Sequence, residues 1–231
     1  ILNMEPDVII SFWFQLAFIT EIISYNKSFV TIYSERGDPS DNEYAGINKV
    51  LRYFANRRID GFVFQSKAAQ NYFDEDIIKR SVIIRNPVTV NINNSTDRNV
   101  LEKKIINIGR LHEQKNQKLL IDAFYQISNK IPEYTLHIYG EGPLESDLKK
   151  HVSKLNLEKR VIFEGTKSNI HKELINASLF VLTSHYEGMP NALLECMALG
   201  LPCITTNYSP YSASEFIENY NNGIIVEDNS I

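Results

Sequence analysis

Residues 179–206 read LFVLTSHYEGMPNALLECMALGLPCITT. The stretch opens on an apolar run, LFVLT, crosses a polar turn, takes up a helical pattern over 190–199 and closes on a second β-branched run, PCITT. Pro190 suits a first helical position, where its missing N–H costs nothing. Two apolar strands joined through a helix make a βαβ unit, and a crossover of that length places its strands parallel.

The same alternation runs outward in both directions. Candidate strands are DVII, FVTIY, GFVFQ, VIIR, KIINIG, YTLHIYG, RVIFEG, LFVLT, PCITT and GIIVE. Candidate helices lie near 44–57, 66–73, 116–129, 144–155, 170–176, 190–199 and 213–219. Continuous apolar strands alternating with helices predict an α/β protein with parallel, doubly wound sheets covered on both faces. A polar, Asn-rich stretch at 86–100, NPVTVNINNSTDRNV, carries Pro87 and no hydrophobic period, and reads as a linker. It divides the chain into a Rossmann-like domain at 1–90 and a second at 91–231. The first is short for a doubly wound domain. The chain opens without an initiator Met and stops just after GIIVE, so a fragment cut at both ends is expected.

Bulk composition narrows the function classes. The 231 residues are 43% hydrophobic and 23% charged, ordinary values for a globular protein. A net charge of −4 argues against a nucleic-acid partner, which would call for a basic surface. Cys196 and Cys203 cannot build a disulfide framework and read as buried thiols of a reducing compartment. The opening ILNMEPD has no basic leader. The most apolar run, VIISFWFQLAFI (8–19), is interrupted by Ser11 and Gln15 and stops at Glu21, too soon to span a bilayer. It predicts a strand followed by a buried helix.

Three strand-end motifs carry chemistry. After KIINIG, which ends at Gly109, come Arg110 and Lys115, five residues apart around a turn before a helix from about Asn116. Ligands of open α/β sheets bind beyond the carboxyl ends of strands, where an Arg fork and a mobile Lys charge can clamp a diphosphate. Two solvated loop cations beside Glu113 are the other reading. After YTLHIYG come Gly140, Glu141, Gly142 and Pro143. As a dinucleotide fingerprint this is weak, because Glu145 stands where a third glycine belongs. The alternatives are a tight turn needing positive φ, or bare backbone that lets a nucleotide approach. After LFVLT come Ser184, His185, Tyr186, Glu187 and Gly188, then the helix with Asn191, Ala192 and Leu193 in its first turn and Glu195 further in. Those first-turn N–H groups and the helix dipole form an anion site. Glu187 and Glu195 cannot pair on one helical face, but can hold opposite ends of an extended ligand through its hydroxyls. A capping acid plus an exposed helix acid is the alternative. His185 lies in this loop and can touch a ligand. His112, His137, His151 and His171 share no metal-ligand spacing.

Taken in order, GRLHEQKN, HIYGEGPLE, FEG (163–165) and SHYEGMPNALLECMALGLPCITT resemble the retaining glycosyltransferases of family 4, which have the two-Rossmann-domain GT-B fold. Glu187 and Glu195 fit that family's Glu-x7-Glu signature. The resemblance is strong over about 105–226 and weaker over 7–90, through YSERGDP (33–39), DGFVFQS (60–66) and IRNPV (84–88). It implies a nucleotide-sugar-binding second domain and an acceptor-side first domain. By it, Arg110 and Lys115 bind the donor diphosphate, Glu195 holds the ribose hydroxyls, and Glu187 contacts the donor sugar near the reacting face. Gly188, Met189, Pro190 and Asn191 present backbone to sugar and phosphates. Gly140, Gly142 and the loop after Gly165 line the nucleotide pocket.

The implied reaction moves a sugar from a UDP- or GDP-sugar to an acceptor hydroxyl with retention at the anomeric carbon. The implied setting is bacterial polysaccharide or glycoconjugate synthesis. Electrostatic stabilisation of the departing diphosphate is implied, with no cofactor and no metal. The acceptor would be a carbohydrate or lipid-linked saccharide, in the cytoplasm or at the inner face of the membrane with peripheral contact. Asp74–Glu75–Asp76 superficially matches the Asp-x-Asp metal motif of another glycosyltransferase fold, but lies after a helix rather than at a strand end and reads as a solvated turn.

The sequence also departs from the family. Its N-terminal Gly-rich loop and its C-terminal helices have no counterpart here. A strand-end His found in many members is replaced by Ser34–Glu35–Arg36–Gly37–Asp38–Pro39. Glu35 and Arg36 are candidates for an acceptor or phosphate role, or for a loop salt bridge. A nucleotide-sugar epimerase of related fold and a non-catalytic nucleotide-sugar-binding fragment are the competing functions.

Overall fold

The computed structural model describes residues 5–23, 28–37, 39, 46–90, 101–208 and 213–227. It comprises two compact units, Ile1–Asn86 with Glu187–Met189, and Pro87–Tyr186 with Pro190–Ile231. The division falls at the start of the polar stretch read as a linker. Residues 91–100 of that stretch lie outside the described residues, as do Asp38 and the expected helix start at 44–45.

The first unit runs β1 (Val8–Ser11), α1 (Phe14–Ile23), β2 (Val30–Ser34), α2 (Ile47–Arg58), β3 (Gly61–Phe64), α3 (Lys67–Asn71), α4 (Glu75–Ile78) and β4 (Ser81–Ile83). Its strands are parallel in the order β1-β2-β3-β4. Every step moves the same way across the sheet, so right-handed crossovers put all the helices on one face. Tyr33 pairs in register with Phe62, and these two with Phe64 pack against Phe14, Ala17, Ala55, Phe73 and Ile77 from that side. The opposite face aligns Val8 with Val30, Ile10 with Ile32, and Val63 with Val82. No helix among the described residues covers it, and Ile10 and Val82 are 54% and 50% exposed.

The helix expected after the first strand is present as α1, but it is buried on one side only. Phe14, Ala17, Thr20 and Glu21 face inward, while Leu16, Ile19, Ile22 and Ile23 are exposed. An apolar surface all round carries no periodic signal for which face is covered. Buried Glu21 accepts from the Thr31 hydroxyl at 2.6 Å and lies 3.4 Å from the Arg58 guanidinium, the pairing a buried acid requires. Asp74 is the N-cap of α4, with Glu75 and Asp76 in its first turn. A short helix thus stands where a turn was expected, with acids at the dipole end they suit.

The second unit runs β5 (Lys104–Ile108), α5 (Gln117–Ile127), β6 (Thr135–Tyr139), α6 (Glu145–Lys154), β7 (Val161–Gly165), α7 (Ile170–Ile175), β8 (Leu179–Leu182), α8 (Asn191–Ala198), β9 (Cys203–Thr206) and β10 (Ile224–Val226). All pairings are parallel, in the order β10-β9-β8-β5-β6-β7. The chain moves one way from β5 to β7, returns, and moves the other way from β8 to β10, so helices cover both faces. Consecutive residues of β5 part company accordingly. Ile105 joins Leu120, Phe124 and Leu148 beneath α5 and α6, and Ile106 joins Leu174, Leu193 and Cys196 beneath α7 and α8. This is the doubly wound arrangement that the alternation predicts.

The helix expected over 213–219 is a single 3-10 turn, Ala213–Glu215. Asparagine side chains bond backbone groups here, one of them, the Glu218 N–H, within the expected helix. Asn222 Oδ1 accepts from the Glu218 N–H at 2.8 Å, and Asn219 Oδ1 from the Ile225 N–H at 2.9 Å.

Candidate functional site

β5 and β8 are neighbours, yet the connection leaving β5 runs to one side of the sheet and that leaving β8 to the other. Loops diverge at such a reversal and open a crevice beyond the carboxyl ends of the two strands. The 109–116 loop leaves β5 at this point and the 183–190 loop leaves β8. The two segments singled out by their charges therefore flank the switch point of the second sheet.

The floor beside the crevice is backbone. The Gly109 N–H donates to the Tyr139 carbonyl at 3.0 Å, Leu111 N–H to Glu141 at 3.0 Å, and Gly140 N–H to Gly165 at 2.9 Å. These bonds tie together the loops after β5, β6 and β7. A Cβ on Gly140 would stand 2.1 Å from the Gly109 carbonyl oxygen, at a φ of +127°, and one on Gly142 would stand 2.3 Å from the Leu111 oxygen. Gly140 thus has the positive φ of a tight turn, and both glycines are bare because a neighbouring loop crosses them.

Arg110 is exposed, and its carbonyl accepts from Gln117 Nε2 at 3.0 Å. The aliphatic stem of Lys115 lies over Gly109, where an added Cβ would come within 3.2 Å of Lys115 Cδ and Cε. Lys115 closes a 3-10 turn, Glu113–Lys115, and Asn116 follows at a left-handed φ of 45°, so α5 begins one residue later than expected, at Gln117. The carbonyls of Lys115 and Asn116 both accept from the Thr183 hydroxyl, at 3.0 Å each. Thr206, at the end of β9, donates to the Ser184 carbonyl at 2.7 Å.

In the second loop His185 is exposed and Glu187 is buried. Gly188 and Met189 are half-buried. Pro190 is the N-cap of α8 rather than its first helical residue, with φ −80° and ψ 75°. Asn191 and Ala192 open the helix and Leu193 is buried in the core beneath it. The first-turn N–H groups of any helix lack intrahelical acceptors. Glu195 is half-buried further along α8, with His171 Nε2 of α7 at 3.5 Å from its Oε2. His171, which spacing left without a role, is thus a neighbour of Glu195.

Behind the same sheet Lys104 Nζ reaches Glu173 Oε2 at 2.7 Å, and the Tyr139 hydroxyl donates to that oxygen at 2.9 Å. The Lys104 hydrogen bond, joined by that from Tyr139, holds the Glu173 carboxyl below its ordinary range against the effect of burial. Burial, then the bond to Glu173, pushes the Tyr139 phenol far up. Burial raises both thiols, that of Cys203 to about 12, so Cys196 and Cys203 are core groups rather than nucleophiles.

In the first unit Glu35 is buried. It accepts from the Tyr33 hydroxyl at 2.8 Å and from the Arg36 and Gly37 N–H groups at 3.1 Å each, and lies 3.5 Å from the Arg52 guanidinium. The Arg52 contact is the kind of loop salt bridge named as the alternative reading for Glu35. Arg36 is exposed, bonds Asn86 Oδ1 at 2.7 Å and lies 5.0 Å from the centre of the Phe12 ring.

Sequence reasoning missed the side chains that hold the two crevice loops, Gln114, Thr183, Thr206 and Gln117. Their signal is faint: a polar residue inside HEQKN, and threonines where strands end.

Comparison with known proteins extends this geometry. Residues 90–231, more than half of the chain, match the family described as glycosyl transferases group 1. A UDP-Gal:alpha-D-GlcNAc-diphosphoundecaprenol alpha-1,3-galactosyltransferase of Escherichia coli is 37% identical over 127 residues, 54% of this chain and 32% of that protein. A poly(ribitol-phosphate) alpha-N-acetylglucosaminyltransferase of Staphylococcus aureus is 32% identical over 179 residues, 75% of this chain and 35% of that protein. The chain therefore spans about a third of the length of these relatives. Among solved structures, Anabaena HepE in complex with UDP superposes with a TM-score of 0.85 at 21% identity, covering 99% of this chain and 67% of HepE. That likeness shows the fold, the Rossmann-like architecture of GT-B glycosyltransferases. Two parallel α/β units, a reversal of strand order in the second, and a match across that unit together place the chain in the family of glycosyl transferases group 1.

Proposed function

We propose that the protein is a retaining glycosyltransferase of family 4 that moves a sugar from a UDP-sugar to a hydroxyl of a growing bacterial polysaccharide or glycoconjugate. The observation that carries this reading is the pair of loops at the β5/β8 switch point, one with Arg110 and Lys115 and the other leading into α8 and Glu195. UDP is favoured as the carrier because the Escherichia coli relative is named for a UDP-sugar donor and HepE was solved with UDP.

In this reading Arg110 and Lys115 take the diphosphate. Glu195 accepts hydrogen bonds from the ribose hydroxyls, and Glu187 from the donor sugar. Gly188, Met189, Pro190 and Asn191 lend backbone to sugar and phosphates. As the sugar–phosphate bond breaks, negative charge grows on the diphosphate, and two cations with a helix start stabilise it without a metal or cofactor. The acceptor is a carbohydrate or lipid-linked saccharide, as the names of the relatives suggest, reached at the inner face of the membrane. Glu35 and Arg36 are the acceptor-side candidates of the first unit. No helix among the described residues is long and apolar enough to cross a membrane.

Calorimetry with UDP tests the clamp. Arg110→Ala and Lys115→Ala should each weaken binding by about 10- to 100-fold, the size of a charge-assisted hydrogen bond. Retention is tested by proton NMR of the product formed by the whole protein from an α-linked UDP-sugar, with EDTA present. An α-linked product supports the proposal. A β-linked product, or activity lost with EDTA and restored by a divalent ion, overturns the mechanism.

A further inference from the structure

Gln114 does not belong to the charged set, yet it spans the crevice between the two loops of the second unit. Its carbonyl accepts from the His185 N–H at 2.8 Å, and its side-chain Nε2 donates to the Tyr186 carbonyl at 3.0 Å. One residue thus takes a donor from one position and offers a donor to the next, as a strand neighbour would, at a place where the sheet has ended. Both partners immediately precede Glu187 in the chain. Gln114 itself is seated in a 3-10 turn, where the Lys115 N–H donates to the His112 carbonyl at 2.9 Å and the Asn116 N–H to the Glu113 carbonyl at 3.1 Å. Thr183 binds the same turn from the other side, through the Lys115 and Asn116 carbonyls.

We propose that Gln114 is a positioning residue for the sugar-binding loop: it fixes the backbone entering Glu187 against the turn that carries Lys115. The inference rests on the reading of Glu187 as the carboxylate that contacts the donor sugar. Gln114 touches no ligand in this scheme; it acts through Tyr186. Its side chain should therefore matter for the sugar half of the donor and little for the nucleotide half. The hydrogen bond made by its backbone carbonyl survives any side-chain substitution, which confines a variant to the Nε2 bond.

The test compares affinities of UDP with those of UDP-glucose, UDP-galactose and UDP-N-acetylglucosamine, measured by calorimetry on this chain. Gln114→Glu keeps the shape of the side chain and removes its N–H donor, and Gln114→Ala removes the side chain. Both should leave UDP affinity within about two-fold and lower the affinity for the preferred UDP-sugar, relative to UDP, by about five- to ten-fold, the worth of one hydrogen bond. Glu187→Ala is the reference and should change the same ratio at least as much. If Glu187→Ala changes it and the Gln114 variants do not, the positioning role is overturned while the donor-site reading stands. If Glu187→Ala leaves the ratio unchanged, the reading of Glu187 falls and the Gln114 inference falls with it. A lower melting temperature in the Gln114 variants with an unchanged ratio would mark a purely structural contact and overturn the proposal.

Discussion

The two units are built from the same parts and wound differently. In the first, four parallel strands follow one another in chain order, and all the helices among its described residues fall on one face. In the second, the strand order reverses at β5/β8, and helices cover both faces. The consequences reach beyond packing. A sheet wound one way has no internal switch point, whereas reversal makes a crevice where loops of different connections meet. Buried charge occurs in both units, with Lys104 paired to Glu173 in the second. In the first unit Glu21, Glu35 and Arg52 are buried and tied into structure. In the second, Arg110 is exposed beside the crevice and Lys115 lies half-buried across Gly109. Burial of an ionised group demands partners, as the ties of Glu21, Glu35 and Lys104 show.

The sharpest way to break this comparison is a matched pair of substitutions in the two sheets. Ile106→Asn puts an amide into a closed core at 0% exposure and should cost about 4 kcal/mol, followed by far-UV circular dichroism in urea. Ile10→Asn acts on the uncovered face and should cost less than about 0.5 kcal/mol, followed through Trp13, the single tryptophan. Equal costs would mean that the two sheets are covered alike.

A second pair asks what glycine is for in each unit. Gly46 and Gly140 both have positive φ, but an added Cβ meets nothing within 4 Å at Gly46 and a carbonyl oxygen at 2.1 Å at Gly140. Gly46→Ala should cost about 1–2 kcal/mol from backbone strain alone and leave UDP binding unchanged. Gly140→Ala adds a clash with the neighbouring loop, should cost about 3 kcal/mol, and should weaken UDP binding. Thermal melts and UDP titrations of both variants decide whether the second unit's glycine serves the site floor.

The smallest effect concerns pH. Glu173 has its pKa lowered in the folded protein, first by the Lys104 hydrogen bond. A lowered carboxyl pKa contributes stability that is present above the unfolded value, about 4.3, and is lost as pH falls through the folded value. The melting temperature should therefore drop by a few degrees on acidification below about pH 4.3, and Glu173→Gln should flatten that drop. An unchanged acid profile in the variant would show that the Lys104–Glu173–Tyr139 cluster does not couple to folding.

Much of this was legible beforehand, and unevenly so. Each of the ten apolar runs read as strands overlaps one of the ten described strands, because a central parallel strand must be apolar on both faces. Helices fared worse where burial was one-sided or side chains competed. α1 is apolar on its exposed side as well, and asparagines around 219–222 replaced a helix with a turn. The candidate residues Arg110, Lys115 and Glu187 could be placed in loops because they follow the ends of apolar runs. The tie of His171 to Glu195 could not be read, since it joins different helices and leaves no spacing in the sequence.

The sequence by itself determined the α/β alternation and the charged and glycine residues that follow its apolar runs. These are local properties, set by apolar runs, turn residues and charge. Only the tertiary structure decided which strands are neighbours. That placed the Arg110 and Glu187 loops on either side of one reversal, turned Glu35 inward onto Tyr33 and Arg52, and set Gln114 across the crevice. The physical reason is that pairing order follows from crossover handedness and from which faces must be buried together, and neither is recorded at any single position in the chain.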